Sequence, residues 1–301
     1  MSYITTLRDA PQVLTNGTSA CQGCGGELIM RKIMQLAGTN SIFAVPPGCM
    51  AGAGAVGWRE QNGCRAPMHI PLLDNTASFL TGVSQLYQRK GRGDVNIIGI
   101  AGDGATADCG FQSLSGAAER NEKFLYVCYD NEGYMNTGYQ RSSTTSHGSK
   151  TSTTPTGSVI NGKQQNSKYL PLIMAMHNVE YCATASPSNM ADFTRKVQRA
   201  IEASKEGFAY LHVFSPCPTG WAFKPDQSIR VADRAVKSNM FPLWECDKGS
   251  FKLNFVNKNP ITIDEFVQGI GKFKKLQPED IAILQACADE RYEQVRKLCE
   301  A

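Results

Sequence analysis

The chain has 301 residues, of which 42% are hydrophobic and 19% charged, which places it among globular proteins and excludes disordered and collagen-like classes. Its 31 Lys and Arg against 27 Asp and Glu leave a net charge of +4, with no basic block and no aromatic-interleaved basic stretch, so nucleic-acid binding has no support. Residues 1–12 lack the apolar core of a signal peptide, and the longest apolar run, 42–57, is interrupted by Pro46, Pro47 and four glycines, so a cytoplasmic chain without a membrane span is expected.

No internal repeat is visible. A loop, Thr18 to Gly26, carries Cys21 and Cys24 into a helix whose apolar positions Leu28, Ile29, Ile33, Met34 and Leu36 end at Gly38. A buried strand over 41–45 runs into Pro46-Pro47-Gly48-Cys49-Met50, a turn rich enough in Pro and Gly to hold a fixed non-helical shape. A helix follows over 74–90, with Phe79, Val83, Leu86 and Tyr87 as its apolar side. The strand 95–101, the tight turn Gly102-Asp103-Gly104, the helix 107–120 and the strand 124–129 compose a right-handed βαβ unit with parallel strands. Ligands of such sheets bind beyond the carboxyl ends of the strands. Residues 142–157 are rich in Ser and Thr and read as a long functional loop or a mobile segment. Helices at 171–177 and 190–204 alternate with strands at 181–185 and 208–214, and the last strand enters the turn Ser215 to Trp221. The expected fold is α/β, a central, mostly parallel sheet flanked by helices. Residues 1–220 form the cofactor-binding domain, and 221–301 a C-terminal extension that packs on the core or on a partner and ends in a charged helix from about Pro278.

Gly102-Asp103-Gly104 is by itself only a turn signal. Its context adds chemistry, because Asn131 follows Asp103 by 28 residues and lies at the end of the next parallel strand in Asp130-Asn131-Glu132-Gly133. The Asp103 carboxylate, the Asn131 amide oxygen and a main-chain carbonyl such as that of Gly133 offer hard oxygen ligands for magnesium, leaving room for phosphate oxygens. The helix beginning near Ala107 turns its amino end toward the same anion.

The 11 cysteines are an odd number, which in a reducing compartment points to metal binding or burial rather than disulfides. Cys21, Cys24, Cys49 and Cys217 each lie in a constrained loop, as ligands of an iron–sulfur cluster or of zinc must. Cys128 and Cys182 fall in apolar strands as buried thiols, and Cys64, Cys109, Cys246, Cys287 and Cys299 receive no role. His177 and His212 fall in helix and strand patterns and read as structural, while His69 and His147 lie in loops.

The Gly-Asp-Gly and Asn spacing resembles the diphosphate-binding motif of thiamine-diphosphate enzymes, with Asp130-Asn131 where many members carry two asparagines. Taken with Cys21-Gln22-Gly23-Cys24-Gly25, Tyr129 through Gly138 and Cys217-Pro218-Thr219-Gly220-Trp221, most of the chain resembles the beta subunits of pyruvate:ferredoxin oxidoreductases, in the 2-oxoacid:ferredoxin oxidoreductase family. The resemblance implies a thiamine-diphosphate-binding fold in which Asp103, Asn131 and the Gly133 carbonyl hold Mg2+, with Gly102 and Gly104 in the cofactor loop. It further implies that Cys21, Cys24, Cys49 and Cys217 ligate one [4Fe-4S] cluster and that Asn136 lies near the thiazolium and hydrogen-bonds the substrate. The implied reaction is decarboxylation of pyruvate to acetyl-CoA and CO2, with coenzyme A as acyl acceptor and electrons passed through the cluster to ferredoxin. No glutamate here sits in a recognisable motif for the aminopyrimidine, and in the family the alpha subunit supplies it; gamma and ferredoxin-like delta subunits complete the complex. Branched-chain 2-oxo acid and oxalate enzymes share the scaffold. Two rival readings are a zinc-stapled, non-catalytic α/β subunit and a non-redox thiamine enzyme; the second leaves the four loop cysteines unexplained.

Overall fold

The protein is described here from a computed structural model covering residues 2–55, 63–158 and 161–300; Val56 and Gly57, at the end of the long apolar run, lie outside the described residues. In chain order the elements are α1 (Tyr3–Asp9), α2 (Gly25–Ala37), β1 (Ser41–Ala44), α3 (Cys49–Ala55), β2 (Met68–His69), α4 (Thr76–Arg89) and β3 (Asn96–Gly102). A π-helix, Gly104–Cys109, leads into α5 (Phe111–Glu119), β4 (Leu125–Asp130), α6 (Leu170–Ala175), β5 (Tyr181–Ala185), α7 (Met190–Ala203) and β6 (Ala209–Phe214). The remainder holds α8 (Pro218–Trp221), α9 (Ser228–Lys237), β7 (Trp244–Asp247), β8 (Ser250–Leu253), α10 (Ile263–Val267) and α11 (Pro278–Glu300).

Among the described residues one sheet runs in the order β2-β1-β3-β4-β6-β5-β7-β8. The strands from β2 to β5 pair in parallel, and β7 and β8 add an antiparallel edge. Alternation along the strands divides the core in two. Ile98 and Ile100 of β3 and Val127 of β4 pack under Ile29 and Ile33 of α2 and Phe193 and Val197 of α7. Ile97, Ala101, Tyr126 and Cys128 face Leu80, Leu114, Met174 and, from α11, Val295. A third group, around Trp221, Phe241 and Phe266, fills the C-terminal segment. The segment past 220 thus completes the sheet and covers one of its faces.

The structure corrects three local expectations and refines a fourth. The run Pro46-Pro47-Gly48 is non-helical, but Cys49 already opens α3, with Gly48 O accepting the Gly52 N–H at 3.3 Å as the first helical bond. The buried side of α4 is Thr76, Ala77, Leu80 and Ser84, and Leu86 is 49% exposed. Leu80 lies so close to β3 that a Cβ on Gly99 would meet it at 2.6 Å, while Phe79, Val83 and Tyr87 pack only partly buried at the side. Gly102-Asp103-Gly104 is not a tight turn: Asp103 is right-handed helical and the chain passes straight from β3 into the π-helix. Its closing i→i−5 bond, from the Gly110 N–H to Ala105 O at 2.9 Å, needs a glycine, since a Cβ there would lie 2.2 Å from that oxygen. Finally, the Ser/Thr-rich stretch keeps the loop reading, but as a packed loop in its first half: Ser142, Thr144, Thr145, Ser146, Ser149 and Thr151 are buried, while Ser152 and Thr153 are exposed.

Candidate active site

Four adjacent parallel strands, β1, β3, β4 and β6, deliver Cys49, Asp103, Asn131 and Cys217 at their carboxyl ends. A cleft at this edge is lined by Pro47, Gly48, Cys49, Gly102, Gly104, Asn131, Gly133, Met135 and Asn136, with Leu73 and Tyr134 on its wall. Gly104 is required there, because a Cβ would meet the Tyr134 ring at 2.6 Å, and Tyr134 donates from its hydroxyl to Gly104 O at 3.1 Å.

Asp103 is fully buried, and its two oxygens have different company. Oδ2 accepts from Ser142 Oγ at 2.5 Å and stands 3.0 Å from Thr144 Oγ1, while Oδ1 accepts only the Asn131 N–H, at 3.2 Å. Thr144 Oγ1 is also 2.9 Å from Asp130 Oδ1, and with a single proton it serves one carboxylate at a time. Burial, and then the Asp130 charge, push the Asp103 carboxyl well above its ordinary range. The Asn131 side-chain oxygen lies 3.0 Å from both Asp103 Oδ1 and the Gly133 carbonyl. Three acceptors then converge with no proton between them, and turning the amide over would let its nitrogen donate to both. A magnesium ion with ligands at about 2.1 Å sets adjacent ligand oxygens about 3.0 Å apart, so the spacing of the nest fits that ion.

The loop beneath is held by groups that sequence reasoning missed. His212 donates toward Asp130 Oδ2 at 2.9 Å and contacts Tyr210 OH at 2.7 Å. Burial pushes the Asp130 carboxyl up and His212 more than reverses this, leaving it below its ordinary value. Glu132 sits in the left-handed region, φ 60°, held by Ser146 Oγ at 2.6 Å, Lys272 Nζ at 2.7 Å and, at its carbonyl, Thr145 Oγ1 at 2.8 Å. Trp221 Nε1 donates to Asn131 O at 2.8 Å. The density of hydroxyls in 142–146 is the one local signal for this scaffold; Lys272, 140 residues from Glu132, has none.

The four loop cysteines come together beside the cleft. Electrostatic repulsion acts in every pairing of Cys21, Cys24, Cys49 and Cys217, and with burial as the larger cause it pushes Cys24 up to about 11 and Cys49 up to about 12. Cys24 and Cys217 cap the starts of α2 and α8, their sulfurs accepting from the Glu27 N–H at 3.5 Å and the Gly220 N–H at 3.3 Å. N–H groups aimed at sulfur favour the thiolate. The two loops pack backbone to backbone, since a Cβ on Gly25 would meet Pro216 O at 2.9 Å. Among the described residues no three His, Cys, Asp or Glu side chains gather tightly enough for one metal ion. Cys49 belongs to both places, lining the cleft and joining the thiols. Asn136 is exposed on the cleft wall. Cys128, Cys182 and Cys246 are buried apart from this group. His177 bonds Ser115 Oγ at 2.9 Å, and His147 bonds Asp280 at 3.0 Å.

A family model described as thiamine pyrophosphate enzyme, C-terminal TPP binding domain, matches residues 48–213. The beta subunit of NADH-dependent phenylglyoxylate dehydrogenase from Aromatoleum evansii is 45% identical, covering 100% of this chain and 69% of that one. Pyruvate synthase subunit PorB of Methanothermobacter thermautotrophicus is 37% identical, over 95% of this chain and 98% of its own length. Ketoisovalerate oxidoreductase subunit VorB of Pyrococcus abyssi is 38% identical, over 94% and 92%. The solved 2-oxoglutarate:ferredoxin oxidoreductase of Magnetococcus marinus shares the fold, with a TM-score of 0.57 and 24% identity over 73% of this chain and 69% of that one. Fold and family model together define a thiamine-diphosphate-binding domain of the thiamine enzymes. Within that class the chain belongs to the 2-oxoacid:ferredoxin oxidoreductase family, as a beta subunit. No helix among the described residues is long and apolar enough to cross a membrane.

Proposed function

We propose that this subunit supports oxidative decarboxylation of a 2-oxo acid, with pyruvate as the expected substrate, coenzyme A as acyl acceptor and ferredoxin as electron acceptor. The observation that carries this reading is the oxygen nest and Cys49 lining one cleft, with Cys49 also grouped with Cys21, Cys24 and Cys217 beside it. Thiamine diphosphate, when bound, supplies the carbon nucleophile and the electron sink for loss of CO2. Asp103, Asn131 and the Gly133 carbonyl would hold its magnesium, and the free N–H groups at the head of the π-helix would face its phosphates. Asn136 would hydrogen-bond the substrate from the cleft wall. Cys21, Cys24, Cys49 and Cys217 would hold a [4Fe-4S] cluster, which would supply a one-electron acceptor for the two electrons released together with CO2 and the thiol proton of coenzyme A. The glutamate facing the aminopyrimidine belongs to an alpha subunit in this reading, and gamma and delta subunits complete the path to ferredoxin.

A second reading of the substrate, an aromatic 2-oxo acid, is favoured by the identity to the phenylglyoxylate enzyme, 45% against 37% for the pyruvate synthase subunit. The cleft wall of Pro47, Leu73, Tyr134 and Met135 suits an apolar substituent of either size. Viologen reduction by the anaerobic complex, assayed with pyruvate, 2-oxoisovalerate and phenylglyoxylate in the presence of coenzyme A, separates them. The highest kcat/KM with pyruvate supports the first reading and with phenylglyoxylate the second, while CO2 release without any dye reduction contradicts both.

A further inference from the structure

Lys272 lies in a short helical turn, Gly271–Phe273, of the C-terminal segment, and its side chain is 0% exposed. Three groups enclose the ammonium. It donates to Glu132 Oε2 at 2.7 Å, stands 3.5 Å from the centre of the Trp221 ring and lies 4.7 Å from that of Phe273. Glu132 sits between Asn131 and Gly133 of the oxygen nest, and Trp221 both bonds the Asn131 carbonyl and closes the turn that Cys217 caps. One cation therefore joins the nest to a cysteine loop. Its backbone is fixed as well: the Lys150 N–H donates to Lys272 O at 3.0 Å, and a Cβ on Gly271 would lie 2.7 Å from Ala222 Cβ.

Stability alone does not explain a charge at this place. Burying an ion pair costs several kcal/mol of desolvation per ion, and apolar replacements of similar volume are often neutral or stabilising. A methionine would fill the same slot between Trp221 and Phe273, though with Glu132 still charged it would leave that carboxylate buried without a cation. What it would not supply is the positive charge itself, which lies 3.5 Å from the centre of the Trp221 ring in the turn that Cys217 caps.

We propose that Lys272 is a positioning residue for both centres: through Glu132 and Trp221 it fixes the Asn131–Gly133 loop, and its charge raises the electrostatic potential at the four-cysteine site. The inference rests on the cluster reading above, and a positive charge beside a cluster favours its one-electron-reduced, more negative form.

The test is a redox titration of the cluster in the complete anaerobic complex, with dithionite as reductant and electron paramagnetic resonance as readout. Lys272→Met is expected to make reduction about tenfold less favourable, a shift of about 59 mV to more negative potential for one electron. Lys272→Arg keeps the charge and is expected to restore most of the shift, whereas Glu132→Gln leaves the cation uncompensated and moves the potential the other way. Opposite signs in Lys272→Met and Glu132→Gln support the proposal. Shifts of the same sign, as a packing defect would give, or an unchanged potential in Lys272→Met overturn it. Should Lys272→Met fail to assemble, Glu132→Gln decides alone, a positive shift supporting and any other result overturning. A wild-type complex without a cluster signal overturns the functional reading itself, an outcome distinct from any of these.

Discussion

Asp103 concentrates the chemistry of the oxygen nest in one carboxylate oxygen, Oδ1, which accepts only the Asn131 N–H, because hydroxyls occupy the other. In the proposed magnesium site Asp103 is a ligand, so Asp103→Ala is expected to emerge from desalting without bound thiamine diphosphate, measured by fluorescence of the oxidised cofactor; full retention would contradict the ligand role. Gly133 tests the same nest by shape. A Cβ there would lie 2.7 Å from the Tyr139 ring and 2.8 Å from Gln140 O, so Gly133→Ala must displace the carbonyl. Overpacking of this kind costs about 1–3 kcal/mol, and magnesium and thiamine diphosphate are expected to bind some ten- to hundredfold more weakly by calorimetry. Thr144 is the third test, since its hydroxyl stands between two buried carboxylates. Thr144→Val leaves Asp103 and Asp130 less satisfied, at about 1–3 kcal/mol, with a fall in cofactor affinity rather than in turnover of the fully loaded complex.

At the scale of elements, the site is a product of strand ends held in register by a scaffold on both sides. The antiparallel edge contributes through Glu245 of β7, which accepts from Tyr181 OH on β5 at 2.7 Å and from Arg195 on α7 at 2.8 Å. Burial pushes this carboxyl up, but Arg195, Tyr181 and Asn254 bring it down to about 2 from an ordinary value of 4.5. A depressed carboxyl stabilises the fold at all pH values above its unfolded pKa and loses that contribution as pH falls toward the folded value. Glu245→Gln is therefore expected to lower stability by about 1–3 kcal/mol at neutral pH, allowing for the half-exposed Arg195, and to cost progressively less between pH 4.5 and 2. Denaturant titrations at several pH values check this; a pH-independent loss would assign the effect to packing.

Across the whole molecule, the parts readable from residue order are those built from contiguous runs. The apolar stretches that became β3, β4, β5 and β6 leave no alternative to a buried parallel sheet, and the Asp103 and Asn131 spacing places both at neighbouring strand ends. Less visible is anything that depends on contact between distant segments. His212 looks like an ordinary strand residue until β6 pairs with β4 and sets it against Asp130. Lys272 and the antiparallel edge belong to a segment whose mixed pattern reveals nothing of the site it completes. The Ser/Thr run reads as loop from composition, yet the hydroxyls of its first half are buried because two carboxylates and Glu132 need them. The inner face of α4 was hidden for a related reason: Gly99 on β3 lets Leu80 approach the sheet, with Thr76, Ala77 and Ser84 on the same buried side.

The claim that unites these scales is that the thiols of Cys21, Cys24, Cys49 and Cys217 hold a redox cluster beside a thiamine site. Metal analysis and electron paramagnetic resonance of the anaerobically purified complex, dithionite-reduced, address it most directly, with Cys49→Ser as the paired variant. The account predicts a brown, oxygen-bleached protein whose beta subunit carries about four irons, lost in Cys49→Ser. A colourless wild-type beta subunit carrying one zinc, or iron unaffected by Cys49→Ser, would contradict it.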